Sequence, residues 1–118
     1  MTDMRYRRLG DSGLRVSVVG LGCNNFGRRI DADATREVVA AALDLGVTLF
    51  DTADTYGGGL SEEYLGAALK GRRDDVVIAT KFGNDMGGAN GADWGARGAR
   101  RYIVRAVEAS LRRLGTDW

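Results

Sequence analysis

The sequence predicts an α/β fold whose central strands run parallel, and two observations carry that prediction. Short apolar runs alternate with amphipathic stretches of helical period over about residues 17–114. The apolar runs are nearly continuous, which is typical of strands that are covered on both faces of a parallel sheet. Because parallel strands are joined by right-handed crossovers, the pattern indicates consecutive β/α units. Periodicity alone leaves both a doubly wound sheet and a barrel open.

The chain begins with a candidate β-hairpin at about residues 5–16. Two short alternating runs in "RYRRLGDSGLRVS" flank the turn residues Asp11, Ser12 and Gly13, and glycine suits such a turn. The apolar segment "VSVVGLG" comes next and predicts the first strand of the parallel sheet.

The first predicted helix is "DADATREVVAAALDLG". Asp31 or Asp33 can cap its start, and Gly46 stands where a helix often ends. Its apolar face is predicted to consist of Val38, Val39, Ala42 and Leu43. The second strand, "VTLFD", follows directly.

The second predicted helix is "LSEEYLGAALKG". Ser61 is the expected N-cap, Glu62 and Glu63 fall in the first turn, where acidic groups are favourable, and Gly71 marks the end. The third strand, "DVVIATK", follows this helix.

A glycine-rich loop over residues 83–98 leads from the third strand to a third helix. A flexible connector is the simpler interpretation of this loop, with Trp94 as a candidate wall for a substrate. The predicted buried face of the helix is Ile103, Val107, Leu111 and Leu114. Residues 116–118, "TDW", are expected to start a fourth strand.

Composition excludes several classes of function. The chain has 118 residues, 44% of them hydrophobic, and a net charge of +1, which gives no indication of a nucleic-acid or membrane surface. No apolar run approaches the roughly 18 residues of a membrane span. With no histidine and one cysteine, Cys23, neither a transition-metal site nor an intramolecular disulfide is expected. We therefore expect a cytoplasmic protein without a metal.

Candidate catalytic groups follow two of the predicted strands. Asp51 ends "VTLFD" and Lys81 ends "VVIATK", and functional groups of parallel β/α folds collect at these strand ends. Since side chains alternate along a strand, the two charges are expected to share one face and to form an ion pair. The side chains expected on that interior face are Val47, Leu49, Val77 and Ala79, whereas Phe50 and Ile78 should pack against helices.

Tyr56 lies five residues after Asp51, on the loop that leaves the same strand. An ammonium beside a phenol stabilises the phenolate, so Lys81 would make Tyr56 a better proton donor to a carbonyl oxygen. Each residue alone has a simpler interpretation, as a loop cap, a solvated lysine or a packed aromatic ring. Their combination indicates a general acid.

The glycines are less specific. In "GLGCNNFG", Asn25 occupies the third glycine position of the dinucleotide fingerprint, and "YGGG" is not followed by the residues of a phosphate-binding loop. Gly20 and Gly22 are therefore interpreted as keeping one strand end free of side chains, either for a flat ligand or for a tight turn.

The segments "GVTLFDTADTYGGGLSEEYLGAAL", "VVIATKFG" and "RRYIVRAVEASLRRLGTDW" resemble the aldo-keto reductase superfamily, in particular the bacterial branch that includes the β subunits of voltage-gated potassium channels. The resemblance implies a (β/α)8 TIM barrel. It implies that residues 1–118 are the N-terminal part of that domain, namely a β-hairpin plus the first three β/α units.

The resemblance also implies a site and a cofactor. Of the tetrad Asp, Tyr, Lys and His, the first three match Asp51, Tyr56 and Lys81, and the histidine has no counterpart in this chain. NADPH is the implied cofactor, with its nicotinamide-ribose end against Gly22, Cys23, Asn24 and Asp51.

Three functions follow as hypotheses. The first is NADPH-dependent reduction of small-molecule aldehydes or ketones to alcohols, with the proton from Tyr56. The second is a cofactor-binding regulatory protein similar to the channel β subunits. The third is a truncated, inactive chain, since residues 1–118 alone would lack the late strands that hold the cofactor phosphates. The sequence indicates no particular carbonyl substrate and no oligomeric state.

Overall fold

The structure, a computed structural model, describes residues 3–118, so the first two residues of the predicted domain lie outside the described residues. Over the described range 3–118, five three-residue strands and three α-helices form the fold, which confirms the α/β prediction. In chain order the elements are β1 (Tyr6–Arg8), β2 (Arg15–Ser17), β3 (Gly20–Gly22), α1 (Ala32–Asp44), β4 (Leu49–Asp51), α2 (Leu60–Ala68), β5 (Val77–Ala79) and α3 (Arg100–Leu114).

The strands form two separate sheets. β1 and β2 are an antiparallel hairpin, and β3, β4 and β5 form a parallel sheet in that order. The strand predicted from "VSVVGLG" is therefore confirmed only at Gly20–Gly22, and its predicted start is wrong because Ser17 belongs to the hairpin. Because β2 pairs with β1 and β3 pairs with β4, the chain bends at residues 18–19 as it leaves one sheet for the other.

The hairpin is attached to the segment that leads into β4. Ser17 and Thr48 exchange two hydrogen bonds, each backbone N–H donating to the other's hydroxyl oxygen at 2.9 Å. The Tyr6 hydroxyl donates to the Gly46 carbonyl at 2.8 Å. These bonds fix the hairpin against one end of the parallel sheet.

Helix α1 has the predicted ends. Asp31 is its N-cap and accepts a hydrogen bond from the Ala34 N–H at 2.9 Å, so Asp31 rather than Asp33 is the cap. Gly46 follows the helix with a φ of +86° and donates its N–H to Leu43.

Helix α2 begins earlier than predicted, and the expectation that Ser61 is its N-cap is wrong. The N-cap is Gly59, which has a φ of +104°, because the preceding left-handed glycines turn the chain into the helix before Ser61. The buried Ser61 hydroxyl instead donates to the Cys23 carbonyl at 2.7 Å and lies 2.8 Å from the Thr52 hydroxyl. It thus ties α2 to the ends of β3 and β4.

The main core lies between the parallel sheet and the helices. Phe50 is fully buried there, and its register partner Ile78 packs against the same cluster, as predicted. Leu49 and Val77 pair on the opposite face. Val47, expected on that opposite face, packs in the core instead, because it precedes β4 and bonds through its N–H to Ala42 at the end of α1.

The predicted buried face of α3 is largely wrong. The buried residues are Tyr102, Ala106, Ala109, Ser110 and Leu114. Val107 is exposed, and Leu111 borders an apolar cavity of about 310 Å³ beside β5. The helix approaches α2 closely at its end, where a Cβ atom at Gly66 would collide with the backbone of Leu114.

Residues 116–118 lie against Arg73. The guanidinium donates to the Thr116 hydroxyl at 3.1 Å and to the Trp118 carbonyl at 2.8 Å, and its carbon lies 3.7 Å from the centre of the Trp118 ring. The fourth strand expected at this point stays a prediction. Within residues 3–118, no helix has both the length and the apolar character needed to cross a membrane.

Candidate active site

The carboxyl edge of the parallel sheet, where β3, β4 and β5 end, brings Asp51 and Lys81 together. Asp51 is paired with Gly22 on one side and Ala79 on the other, so Lys81 lies two residues beyond the register partner of Asp51 and on the same face. The Lys81 ammonium reaches back and donates to Asp51 Oδ1 at 2.6 Å and to the Thr52 carbonyl at 2.7 Å. The ion pair expected from the sequence is present.

This ion pair is open to solvent. The side chains of Lys81 and Asp51 are 51% and 52% exposed. Partial burial by itself would lower the pKa of Lys81, but the hydrogen bond and charge of Asp51, together with Tyr56, outweigh it and raise the pKa above its ordinary value. Lys81 is therefore a charged ammonium at neutral pH.

Tyr56 begins a tight turn, Tyr56–Gly59, soon after this edge, and the three glycines of the turn have left-handed φ angles. The Lys81 ammonium lies 5.1 Å from the centre of the Tyr56 ring, within the range of a cation–π contact. The turn depends on Gly57, whose φ is +62° and where a Cβ atom would lie 2.9 Å from the Phe26 carbonyl oxygen. The structure thus brings Asp51, Lys81 and Tyr56 into one cluster.

The residues expected to face a cofactor lie at the same edge, but the side chain of Cys23, unlike that of Asn24, is buried. Asn24 is exposed, and nothing lies within 4 Å of the place that a Cβ atom at Gly22 would take. The Cys23 side chain is completely buried, and its N–H donates to the Asp51 carbonyl at 2.9 Å. Burial, followed by the charge of Asp51, raises the pKa of the Cys23 thiol to about 12, so it is protonated at neutral pH.

A second cluster, which we call the buried polar cluster, consists of Asp54, Glu62, Asn90 and Arg113. Arg113 donates to Glu62 Oε1 at 2.7 Å and to Asn90 Oδ1 at 2.9 Å, and Asn90 Nδ2 donates to Asp54 Oδ2 at 2.9 Å. Burial raises the pKa of Asp54; the Asn90 hydrogen bond opposes this effect, and the charge of Glu62 adds to it. Sequence reasoning missed this cluster, because no local spacing links its members.

The glycine-rich loop over residues 83–98 is tied down at several points. Asn90 is buried in the cluster just described, and Arg97 donates to the Gly83 carbonyl at 2.9 Å. Trp94 is exposed and stacks on Arg101, whose guanidinium carbon is 3.8 Å from a ring centre. A role for Trp94 as a substrate wall stays a prediction.

Comparison with known sequences gives a consistent result. A model described as the Aldo/keto reductase family matches residues 18–118. Over 98% of its length, this chain is 41% identical to the uncharacterized oxidoreductase YqkF of Bacillus subtilis and 37% identical to L-glyceraldehyde 3-phosphate reductase of Escherichia coli. It is 38% identical over the same share to a probable voltage-gated potassium channel subunit beta of Arabidopsis thaliana.

Solved structures agree with the sequence relatives. The aldo-keto reductase AKR11C1 from Bacillus halodurans, in its holo form, matches 98% of this chain with a TM-score of 0.82 and 42% identity, and 38% of that protein is covered. The chain spans 35–37% of the length of the three relatives named above. Its hairpin and three β/α units correspond to part of the TIM barrel of these proteins, and the chain belongs to the aldo/keto reductase family.

Proposed function

We propose that this chain provides the proton-donating part of an NADPH-dependent carbonyl reductase that converts aldehydes or ketones to alcohols. The observation that carries the proposal is the meeting of Asp51, Lys81 and Tyr56 at one sheet edge. A relative named as a glyceraldehyde phosphate reductase supports the reaction class. Because the chain spans about a third of its relatives, the activity is proposed for what we call the barrel-length protein: this chain followed by the part of a related reductase that it does not cover.

Tyr56 is the proposed general acid. A carbonyl oxygen that contacts its hydroxyl takes the phenolic proton while the carbonyl carbon accepts a hydride, which gives the alcohol. The Lys81 ammonium stabilises the phenolate left on Tyr56, and Asp51 holds that ammonium in place. The histidine that the resemblance implies would come from the part of the barrel that follows this chain.

A reduced nicotinamide, NADPH, supplies the hydride when it is bound. The carboxyl edge fits its nicotinamide-ribose end, since Gly22 presents no side chain and Asn24 and Asp51 expose an amide and a carboxylate there. Cys23 would contribute backbone atoms only, because its side chain is buried. The single cysteine and the near-neutral charge favour a cytoplasmic protein without a nucleic-acid partner.

The test is the Tyr56→Phe substitution in the barrel-length protein. Loss of the proton donor is expected to lower kcat for an aldehyde by about 10²-fold or more, with NADPH binding, followed by fluorescence, largely kept. Lys81→Met should have a similar effect. Tyr64→Phe, on helix α2, is the matched control and should leave kcat unchanged. Turnover within about threefold of the unmodified protein in Tyr56→Phe would remove Tyr56 from the mechanism.

A regulatory role is the second candidate, favoured by the likeness to a potassium channel β subunit. In that case the barrel-length protein would retain NADPH tightly and turn over slowly with every carbonyl tried. Single-turnover kinetics separates the two functions, because a reductase oxidises bound NADPH rapidly once substrate is added.

For the 118 residues by themselves we propose an inactive state. β3 and β5 are the outer strands of the parallel sheet, and such edges pair with other chains. Size-exclusion chromatography should then show oligomers, and titration should show no saturable NADPH binding at micromolar concentration. A monomer that binds NADPH and reduces an aldehyde would contradict this.

A further inference from the structure

Asp54 lies between Asp51 and Tyr56, yet it takes no part in the ion pair at the carboxyl edge. Its side chain is almost completely buried, at 1% exposure. A buried carboxyl group is costly to folding unless other groups bind it. The hydrogen bond from Asn90 to Asp54 Oδ2, at 2.9 Å, meets that need.

Asn90 is buried, whereas most other residues of the loop over residues 83–98 are exposed. Its Oδ1 atom accepts a hydrogen bond from Arg113, and its Nδ2 atom donates both to Asp54 and to the Tyr102 hydroxyl, the latter at 3.1 Å. The loop leaves the sheet directly after Lys81. It therefore returns, at Asn90, to the segment that carries Tyr56.

Residues 52–54 hold Lys81 at two points. The Asp54 N–H donates to the Lys81 carbonyl at 3.1 Å, and the Lys81 ammonium donates to the Thr52 carbonyl at 2.7 Å. A shift of Asp54 would consequently move the backbone of Lys81. The Asp54 side chain, through its hydrogen bond from Asn90, ties this segment to the loop.

We propose that Asp54 is a positioning residue. By binding Asn90, it fixes the loop over residues 83–98 to the segment that carries Tyr56, and in this way it holds Lys81 beside Tyr56. The proposal rests on the proposed function for its effect on rate. Misplacement of a catalytic group by 1 Å can lower a rate by about 10²-fold. A partial release of Lys81 is expected to lower kcat by about tenfold.

The first measurement is steady-state kinetics on folded barrel-length protein. Asp54→Ala and Asn90→Ala should each lower kcat by about tenfold, with the Kd for NADPH within about twofold, because neither side chain lies at the cofactor edge. Asp54→Asn keeps an oxygen that accepts the Asn90 hydrogen bond and should recover most of kcat. Tyr102→Phe removes a different partner of Asn90 and is the matched control, with kcat unchanged. A purely structural role would reduce the yield of folded protein but not kcat per folded molecule.

The second measurement is amide hydrogen exchange, which needs no turnover. Asn90→Ala should speed exchange at the Asp54 amide and over residues 83–91, whereas Tyr102→Phe should leave the Asp54 amide protected. Unchanged exchange at Asp54, or a kcat within twofold of normal in Asn90→Ala, would overturn the proposal. If a single variant does not fold, the Asp54→Ala/Asn90→Ala double variant, which leaves neither member of the pair unpartnered, takes its place in both measurements.

The two proposals fail in different ways. An unmodified barrel-length protein that reduces no carbonyl would make the proposed function wrong. The exchange experiment would still decide whether the Asp54–Asn90 bond holds the backbone of Lys81.

Discussion

The two clusters of charged side chains differ in their access to water. The Asp51–Lys81 pair at the carboxyl edge is half exposed, whereas Asp54 and Glu62 of the buried polar cluster are almost completely buried. Exposed pairs are screened and contribute little to folding, but their charges remain accessible to a ligand. Buried charges must be bound by protein groups, which fixes those groups relative to one another. The fold thus separates the groups that can react from the groups that hold the structure.

The largest expected effect comes from breaking the buried polar cluster at Glu62. Its carboxylate, which is fully buried, accepts hydrogen bonds from Arg113 and from Thr80, both at 2.7 Å. Glu62→Ala leaves the Arg113 guanidinium without its charged partner, with only the Asn90 hydrogen bond kept, and should lower the free energy of unfolding of the barrel-length protein by about 3–5 kcal/mol. Urea unfolding measures this. The adjacent exposed Glu63→Ala is the control, and a loss at Glu62 below about 1 kcal/mol would mean that the cluster does not stabilise the fold.

A smaller effect is expected from pH, with a sign opposite to that of most carboxylates. The fold raises the pKa of Asp54 above its ordinary value of 3.8, chiefly by burial, so the folded state favours the protonated form. Asp54 therefore adds stability below pH 3.8, and that contribution is lost as pH rises through the folded-state pKa. The free energy of unfolding of the unmodified protein, minus that of Asp54→Asn, should fall as the pH rises from 3.8 through the folded-state pKa of Asp54. A difference that rises with pH would contradict the assignment.

The smallest effect on folding should come from the exposed pair. Asp51→Asn removes the charge that Lys81 contacts, but both side chains are half exposed, so the free energy of unfolding should change by less than about 1 kcal/mol. The same urea experiment measures it. A loss as large as that of Glu62→Ala would erase the contrast between the two clusters.

The sequence predicted best what depends on neighbouring residues. The hairpin, a cap at Asp31 or Asp33 and the order of the β/α units all follow from local signals, and the Asp51–Lys81 contact follows from the common direction of parallel strands. Ser61 was misassigned because a serine preference for N-caps is weaker than the turn imposed by the glycines before it.

What could not be predicted depends on contacts between distant parts of the chain. Asn90 lies 36 residues from Asp54, and Arg113 lies 51 residues from Glu62. The face that α3 buries was missed for a related reason. The helix buries small side chains and Tyr102, whose hydroxyl accepts a hydrogen bond from Asn90, and a periodic pattern of large apolar residues does not register these side chains.

The hydroxyl contact between Ser61 and Thr52 has a consequence for how the protein can change over evolutionary time. Ser61→Ala would leave the buried Thr52 hydroxyl without a partner, and an unmet buried polar group costs about 1–3 kcal/mol. The Cys23 carbonyl would keep the hydrogen bond from the Phe26 N–H. Thr52→Val would cost less, because the Ser61 hydroxyl still donates to the Cys23 carbonyl. An apolar residue at position 61 is therefore expected to be accepted more readily after an apolar residue at position 52 than before it.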